Sequence, residues 1–413
     1  MLTSPLKYAL ATSILMVVAT GFATWTFTSN HAEKQALSCE GDSTSFVSCS
    51  SHVRLVLAGD LMQHVPQVKA ARNSEGGYDY AESFQFVKPV FQGANLAILN
   101  FETTLTPSGR YTGYPQFRSP PALAEALPEM GIDVAVLANN HICDNGRTGI
   151  DCTIKYLDSL GIAYTGAFAD SLQYNRLHPL RIDVNGIRFA IFNYTYGTNG
   201  LPIPQGAIVN LTDTLAIAQD LSGIDRTETD CVIVFFHWGD EYVRKPNATQ
   251  RLLAGFCHQR GVEIVAGSHP HVVQPIELIM DDDSVARAVT VYSLGNLVSN
   301  QRNRYRNGGL IVTLDLEKTD GQPLAIHPSY TPVWVSLPKY RILTPSVADT
   351  VALAGHEQEA CRQFMQDTRQ WVATEGLTEE RYDFSAAGEE DHPEPDTGSG
   401  SNPPVILPAD SPL

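Results

Sequence analysis

The chain has 413 residues, 43% of them hydrophobic and 18% charged, which excludes a wholly disordered protein and is enough for one large domain or two ordinary ones. Its 45 acidic side chains outnumber the 28 basic ones, for a formal net charge of −17. That excess excludes a general nucleic-acid binder, because phosphate backbones are gripped by surplus Lys and Arg, and any polyanionic ligand must be met by local cations.

From the N-terminus, Lys7 precedes an uncharged run from Tyr8 to Phe27, close to the ~20 residues a membrane helix needs. With Trp25 near the far boundary, residues 1–28 are predicted to form a signal-anchor or transmembrane helix with the bulk of the chain outside the cytoplasm. The alternative is a signal peptide cut after Ala23, which would make the protein secreted. Residues 29–52 read as a linker. Seven cysteines suit an oxidising compartment without proving disulfides. Cys39 with Cys49 and Cys143 with Cys152 are candidate pairs. Cys231 and Cys257 read as packing residues, and Cys361 is left over.

Residues 53–343 alternate between two periodicities. The runs "VRLVLAGD", "LAILNFE", "DVAVLANN", "RFAIFNYTY", "CVIVFFHWG", "VEIVAGSH" and "VTVYSLGN" read as strands, as does "GGLIVTLDLEK". Between them "YAESFQFVKPVF", "PALAEALPEM", "GIDCTIKYLDSL", "TDTLAIAQDLSGI" and "TQRLLAGFCHQRG" read as helices. Near-continuous apolar strands separated by helices predict an α/β domain with a largely buried sheet. Residues 344–384 should add a helical segment, and the Pro/Gly/acid-rich 385–413 a disordered tail.

Polar residues gather where the apolar runs stop: Asp60, Glu102, Asn139–Asn140–His141, His237, and His269 with His271. Singly, a histidine after a strand is usually a hydrogen-bonded structural residue, and an aspartate a turn or cap. Five strands ending this way predict convergence at one mouth, since ligands of open α/β sheets sit outside the strand C-termini. Pro270 should hold His269 extended, so that the imidazoles two apart share a face. Carboxylate, amide and imidazole together suit Zn²⁺, Mn²⁺ or Fe²⁺, and the lack of Cys argues against a structural thiolate zinc site. The set exceeds one tetrahedral ion. It predicts two divalent ions, roughly 3.5–4 Å apart, sharing a carboxylate.

Other residues extend the reading. Arg302, Arg304 and Arg306 alternate in "NQRNRYRNGG" and, if extended, would present one guanidinium face to a polyanion, or simply a solvated edge. Arg118 is a possible further cation. Asp144, Asp240 and Glu241 could orient the imidazoles or serve as turn residues. Asn296 could cap a turn or line the pocket.

In order, "GDLMQH", "NFETTL", "LANNHICDNG", "FHWGDEY", "GSHPHVVQP" and "YSLGN" resemble the CapA family of capsule synthesis, associated with poly-γ-glutamate. Through it they resemble the calcineurin-like metallophosphoesterase superfamily. The resemblance covers roughly residues 53–300. It implies a four-layer sandwich with helices on both sides of packed sheets. It also implies Asp60 and His271 on a first metal, Asn140, His237 and His269 on a second, Glu102 bridging, and His141 as general acid. Two positions depart from the superfamily pattern. Met62 stands where the Asp-x-His motif has its histidine, the nearest imidazole being His64, which could approach from a shifted loop or bind substrate, and Glu102 stands where Asp is usual. The implied function is a metal-dependent hydrolase of a phosphoester or polymer bond, working with polymer synthase and export proteins of the membrane. A non-catalytic metal-binding scaffold of that complex is the alternative, and a metal-site epimerase a third reading.

Overall fold

A computed structural model describes residues 50–107 and 109–382. The anchor, most of the linker, the Cys39–Cys49 pairing and the C-terminal tail lie outside these residues.

The fold is mixed α/β. The first strand, Ser50–Leu61, starts inside the expected linker. It is parallel to Leu96–Phe101, followed outward by Val134–Val136 and Ala163–Thr165. On its other side Gly308–Thr319 and Ala325–Ser336 run antiparallel and carry the sheet across to Ala286–Val291, Ile264–Ser268, Cys231–His237 and Ile187–Thr195, with Leu180–Val184 at the edge.

Period-two alternation decides which way each strand's side chains go. Leu55, Leu57, Ile98 and Val134 from one half of the sheet share a buried cluster with Phe189, Ile191, Ile233, Phe235 and Ile264 from the other. The two halves therefore lie face to face. Trp334, together with Phe364 and Met365 of the helix Gly355–Val372, completes that layer. The alternate residues Val56, Ala58, Leu99 and Ala135 point outward against helices that include Gly146–Leu160. On the opposite outer face Val232, Val234 and Phe236 meet helices Thr214–Ser222 and Ala248–His258. The layers run helix, sheet, sheet, helix, and each large side chain buried between them contributes roughly 1.5–3 kcal/mol.

Two expected helices are broken. "YAESFQFVKPVF" becomes Ala81–Phe84 and Lys88–Gln92, and "PALAEALPEM" becomes Ala122–Glu125 and Leu127–Met130. In each case a proline, Pro89 or Pro128, occupies the first turn of the second piece, where its missing N–H does no harm. The Cys143–Cys152 pairing is also corrected: both thiols are free and buried, as are Cys231, Cys257 and Cys361. They pack as small apolar groups.

At the end of the sandwich away from the strand C-termini, Asp230 accepts from Arg188 Nε, Nη2 and backbone N, each at 2.9 Å, and pairs with Lys318 at 3.0 Å. Burial alone would raise the Asp230 pKa, but the hydrogen bonds from Arg188 and Lys318 leave it below the ordinary value. A depressed carboxylate contributes stability that is present above its unfolded pKa, about 3.9, and is lost as pH falls through the folded value. Asp230→Asn should therefore lower the urea midpoint at pH 7, and the gap to wild type should close as pH drops below about 4.

Candidate metal centre

The expected residues converge because parallel neighbours end at the same edge. Asp60 is the last residue but one of its strand and His237 the last of its own, Glu102 follows Phe101, and His269 follows Ser268. Asp60 reaches the cluster through a register shift at Gly59, where any Cβ would stand 2.0 Å from the Gly295 carbonyl oxygen. Only glycine permits that approach.

Asp60, Glu102, Asn140, His141, His237, His269 and His271 are all buried. Asn100, which the motif reading missed, donates from Nδ2 to Asp60 Oδ1 at 2.8 Å and to Glu102 Oε2 at 3.2 Å. Its position near the end of the strand, two residues before Glu102, was the available signal. His271 Nδ1 lies 2.9 Å from Asp60 Oδ2 and 3.1 Å from Asn296 Oδ1. His237 Nε2 lies 2.8 Å from Asn140 Oδ1. Asn296 thus lines the pocket.

Glu102 is the hub. Its Oε1 stands 3.7 Å from His237 Nε2 and 3.7 Å from His271 Nε2. Two donor groups, Asp60–Glu102–His237 and Glu102–His269–His271, each have ligand atoms within 4.8 Å of one another, and Glu102 belongs to both. The division differs from the one the resemblance implies, since Asp60 falls with His237 and the paired imidazoles fall together.

The residues fit divalent ions on their own chemistry. Glu102 Oε1 and His269 Nδ1 are buried atoms with no hydrogen-bond partner among the described residues, a costly state that a cation relieves. Burial, then the charge of Asp60, pushes the Glu102 carboxyl well above its usual range. Burial, then the neighbouring imidazoles, holds His237 well below its ordinary value, and the same causes take His269 down to about 3. Neutral imidazoles are the form that ligates metal. Asp60 stays below the ordinary carboxylate value: burial opposes this, but hydrogen bonds from His271 and Asn100 prevail.

His141 stands apart from both groups. Its Nδ1 is 2.7 Å from Asp144 Oδ2, so the carboxylate accepts the Nδ1 proton and leaves Nε2 for other work. Asp144 also takes the Phe117 backbone N–H at 2.6 Å, and the Phe117 ring sits edge-on to His141 at 4.6 Å. Asp240 instead accepts from Asn247 Nδ2 and orients no imidazole through that bond. Tyr196, another unforeseen residue, packs on His269 at 4.6 Å and stacks over His237 at 6.3 Å.

Three expectations need correction. The His269–Pro270–His271 turn is not extended: φ is 98° at His269 and 55° at His271, and Tyr242 beside them has 67°. Such residues cost on the order of 1–3 kcal/mol each and persist only when packing over-determines them. Here Tyr242 N–H donates to the Pro270 carbonyl at 2.8 Å. His64 belongs to neither donor group, and its Nδ1 accepts from the Asn300 N–H at 3.3 Å and lies 3.1 Å from Gln67 Oε1. Burial lowers its pKa to about 4. The three arginines share no face, since residues 301–307 form turns and not a strand.

A layered α/β fold whose strand ends bury two carboxylates among three imidazoles defines a candidate divalent-metal protein. The bacterial capsule synthesis protein family PGA_cap matches residues 54–301, and the chain belongs to that family. It is 28% identical over 281 residues to the PGA biosynthesis protein CapA of Bacillus subtilis, covering 64% of this chain and 67% of that one. It is likewise 28% identical over 314 residues to the capsule biosynthesis protein CapA of Bacillus anthracis, covering 72% and 73%. Among solved structures, Haemophilus influenzae NAD nucleotidase aligns over 82% of this chain with a TM-score of 0.43 at 10% identity, and this chain spans 59% of its length. The 5'-nucleotidase of Candida albicans aligns over 77% with a TM-score of 0.39 at 13% identity, with 58% of its length spanned. Superpositions that loose carry no argument about chemistry, which rests on the site itself.

Proposed function

We propose that this chain is a metal-dependent hydrolase that acts outside the cytoplasm in making or trimming an anionic surface polymer, poly-γ-glutamate by kinship. Its export would be directed by residues 1–28, its neighbours would be the membrane proteins of polymer synthesis and export, and its target a phosphoester or polymer bond. The observation that carries the reading is Glu102, a buried carboxylate common to two donor groups, with one oxygen that finds no hydrogen-bond partner among the described residues.

Bound there, two divalent ions of the Mn, Zn or Fe type would polarise the scissile group and make a water nucleophilic near neutral pH. Asp60, Glu102, Asn140, His237, His269 and His271 would hold them. Asn100 fixes the two carboxylates against each other, and Asp144, accepting from Nδ1, holds the His141 ring and would stabilise its imidazolium form, whose Nε2–H is the proton given to the leaving group. Burial of the whole set excludes bulk water from the reacting atoms.

One observation favours a non-catalytic scaffold. Met62, buried at 2% exposure, stands where an imidazole would complete the first motif, and His64 belongs to neither donor group. Metal analysis of the full-length chain, with turnover of a model phosphodiester and a γ-glutamyl oligomer before and after chelation, separates the readings. Two equivalents of metal and turnover that is lost on chelation and restored on reloading are expected. Metal without turnover on either substrate supports the scaffold, and a chain that takes up no metal ends both readings.

A further inference from the structure

The alternating arginines divide their labour. Arg302 donates from Nη1 to the Val335 carbonyl at 2.8 Å and lies over Trp334, near Glu357. Arg304 turns outward to Asp367 at 2.6 Å. Both guanidiniums tie the loop to the helix Gly355–Val372 or to its neighbouring strand.

Arg306 is different. Its guanidinium carbon stands 3.3 Å from the centroid of the Tyr242 ring, and among the described residues no carboxylate pairs with it. The same Tyr242 ring lies 6.0 Å from the His271 ring, so the cation is one aromatic ring removed from a candidate metal ligand. Its backbone is fixed as well. Asn296 Nδ2 donates to the Arg306 carbonyl at 2.7 Å, while Oδ1 of the same amide sits 3.1 Å from His271 Nδ1. Tyr242 is 38% exposed and Tyr196, against His269, is 49% exposed, so aromatic faces flank the centre on the solvent side.

A guanidinium resting over an aromatic ring can still offer N–H groups to a bidentate acceptor. In a chain of net charge −17 a polyanion is repelled at long range, so recognition at the centre needs such a fixed local cation. Resting on the hydrolase reading, we infer that Arg306, on its Tyr242 platform, receives a free carboxylate of the anionic polymer next to the bond presented to the metal centre. Arg306 is the specificity determinant for a polyanionic substrate, and Arg302 and Arg304 are not.

Equilibrium binding of a fluorescent γ-glutamyl oligomer to the full-length chain, with and without Mn²⁺, tests this. Arg306→Gln should weaken binding roughly 10–100-fold, the worth of charge-assisted hydrogen bonds, and flatten its salt dependence. Arg306→Lys should recover part of the loss, Tyr242→Ala should share it, and Arg304→Gln should bind as wild type does. Equal oligomer affinity in Arg306→Gln and wild type overturns the inference and leaves the hydrolase reading intact. Failure of the wild type to bind any γ-glutamyl oligomer overturns the polymer substrate and the inference with it.

Discussion

Glu102→Gln is expected to weaken divalent-metal binding by more than about 100-fold while leaving the metal-free chain as stable as wild type, or more so. Losing an outer partner of a metal ligand typically costs 10–100-fold, and Glu102 contributes to both donor groups, so its loss should exceed that range. The stability half of the prediction has the opposite sign to an ordinary core substitution. Glu102 is fully buried, has an oxygen without a partner, and shares the Asn100 amide with Asp60, a second buried carboxylate. A neutral amide of the same shape relieves the repulsion and desolvation that the carboxylate suffers without a cation. Titration calorimetry with Mn²⁺ or Zn²⁺, beside urea unfolding in chelator, reads both halves. Unchanged metal affinity removes Glu102 from the centre. Marked destabilisation of the metal-free chain would make it a structural residue.

His141→Ala should lower turnover by about 10²–10⁴-fold with metal content unchanged, the usual worth of a positioned general acid. The geometry separates the two effects, because His141 belongs to neither donor group and its Nδ1 is committed to Asp144. A lost proton donor shows most strongly on substrates with poor leaving groups, and an activated aryl leaving group should rescue much of the rate. Removal of the ring also opens space beside Phe117, so the folded fraction must be measured together with the rate. If His141→Ala turns over unactivated substrates as wild type does, His141 is no acid. If wild type and variant are both inert with metal bound, the scaffold reading stands.

Much of the architecture was legible because it is written locally. Val53, Leu55 and Leu57 on one face of a strand, Val56 and Ala58 on the other, announce a strand covered on both sides, and they are so covered. The helices that failed did so at Pro89 and Pro128, local signals that a more literal reading would have used. The polar strand ends were legible for the same reason, since Asp60, Glu102, His237 and His269 each close an apolar run. Asn100 could have been found from its spacing to Glu102. Tyr196, Phe117 and Tyr242 could not, because aromatic residues in loops carry no period.

Read alone, then, the chain of residues settles the alternation of strand and helix, the edge at which the chemistry gathers, and the residue types available there, since each depends on side-chain pattern over a few neighbours. It does not settle how donors are grouped around Glu102, the left-handed backbone at His269 and His271, or which one of three arginines is left without a carboxylate among the described residues beside the centre. Those depend on contacts between segments far apart in the chain: Tyr242 N–H on the Pro270 carbonyl, Asn296 between His271 and Arg306, Asp367 drawing Arg304 away. A turn costing a few kcal/mol by itself is selected only when packing from elsewhere in the molecule holds it, and such packing has no local signature.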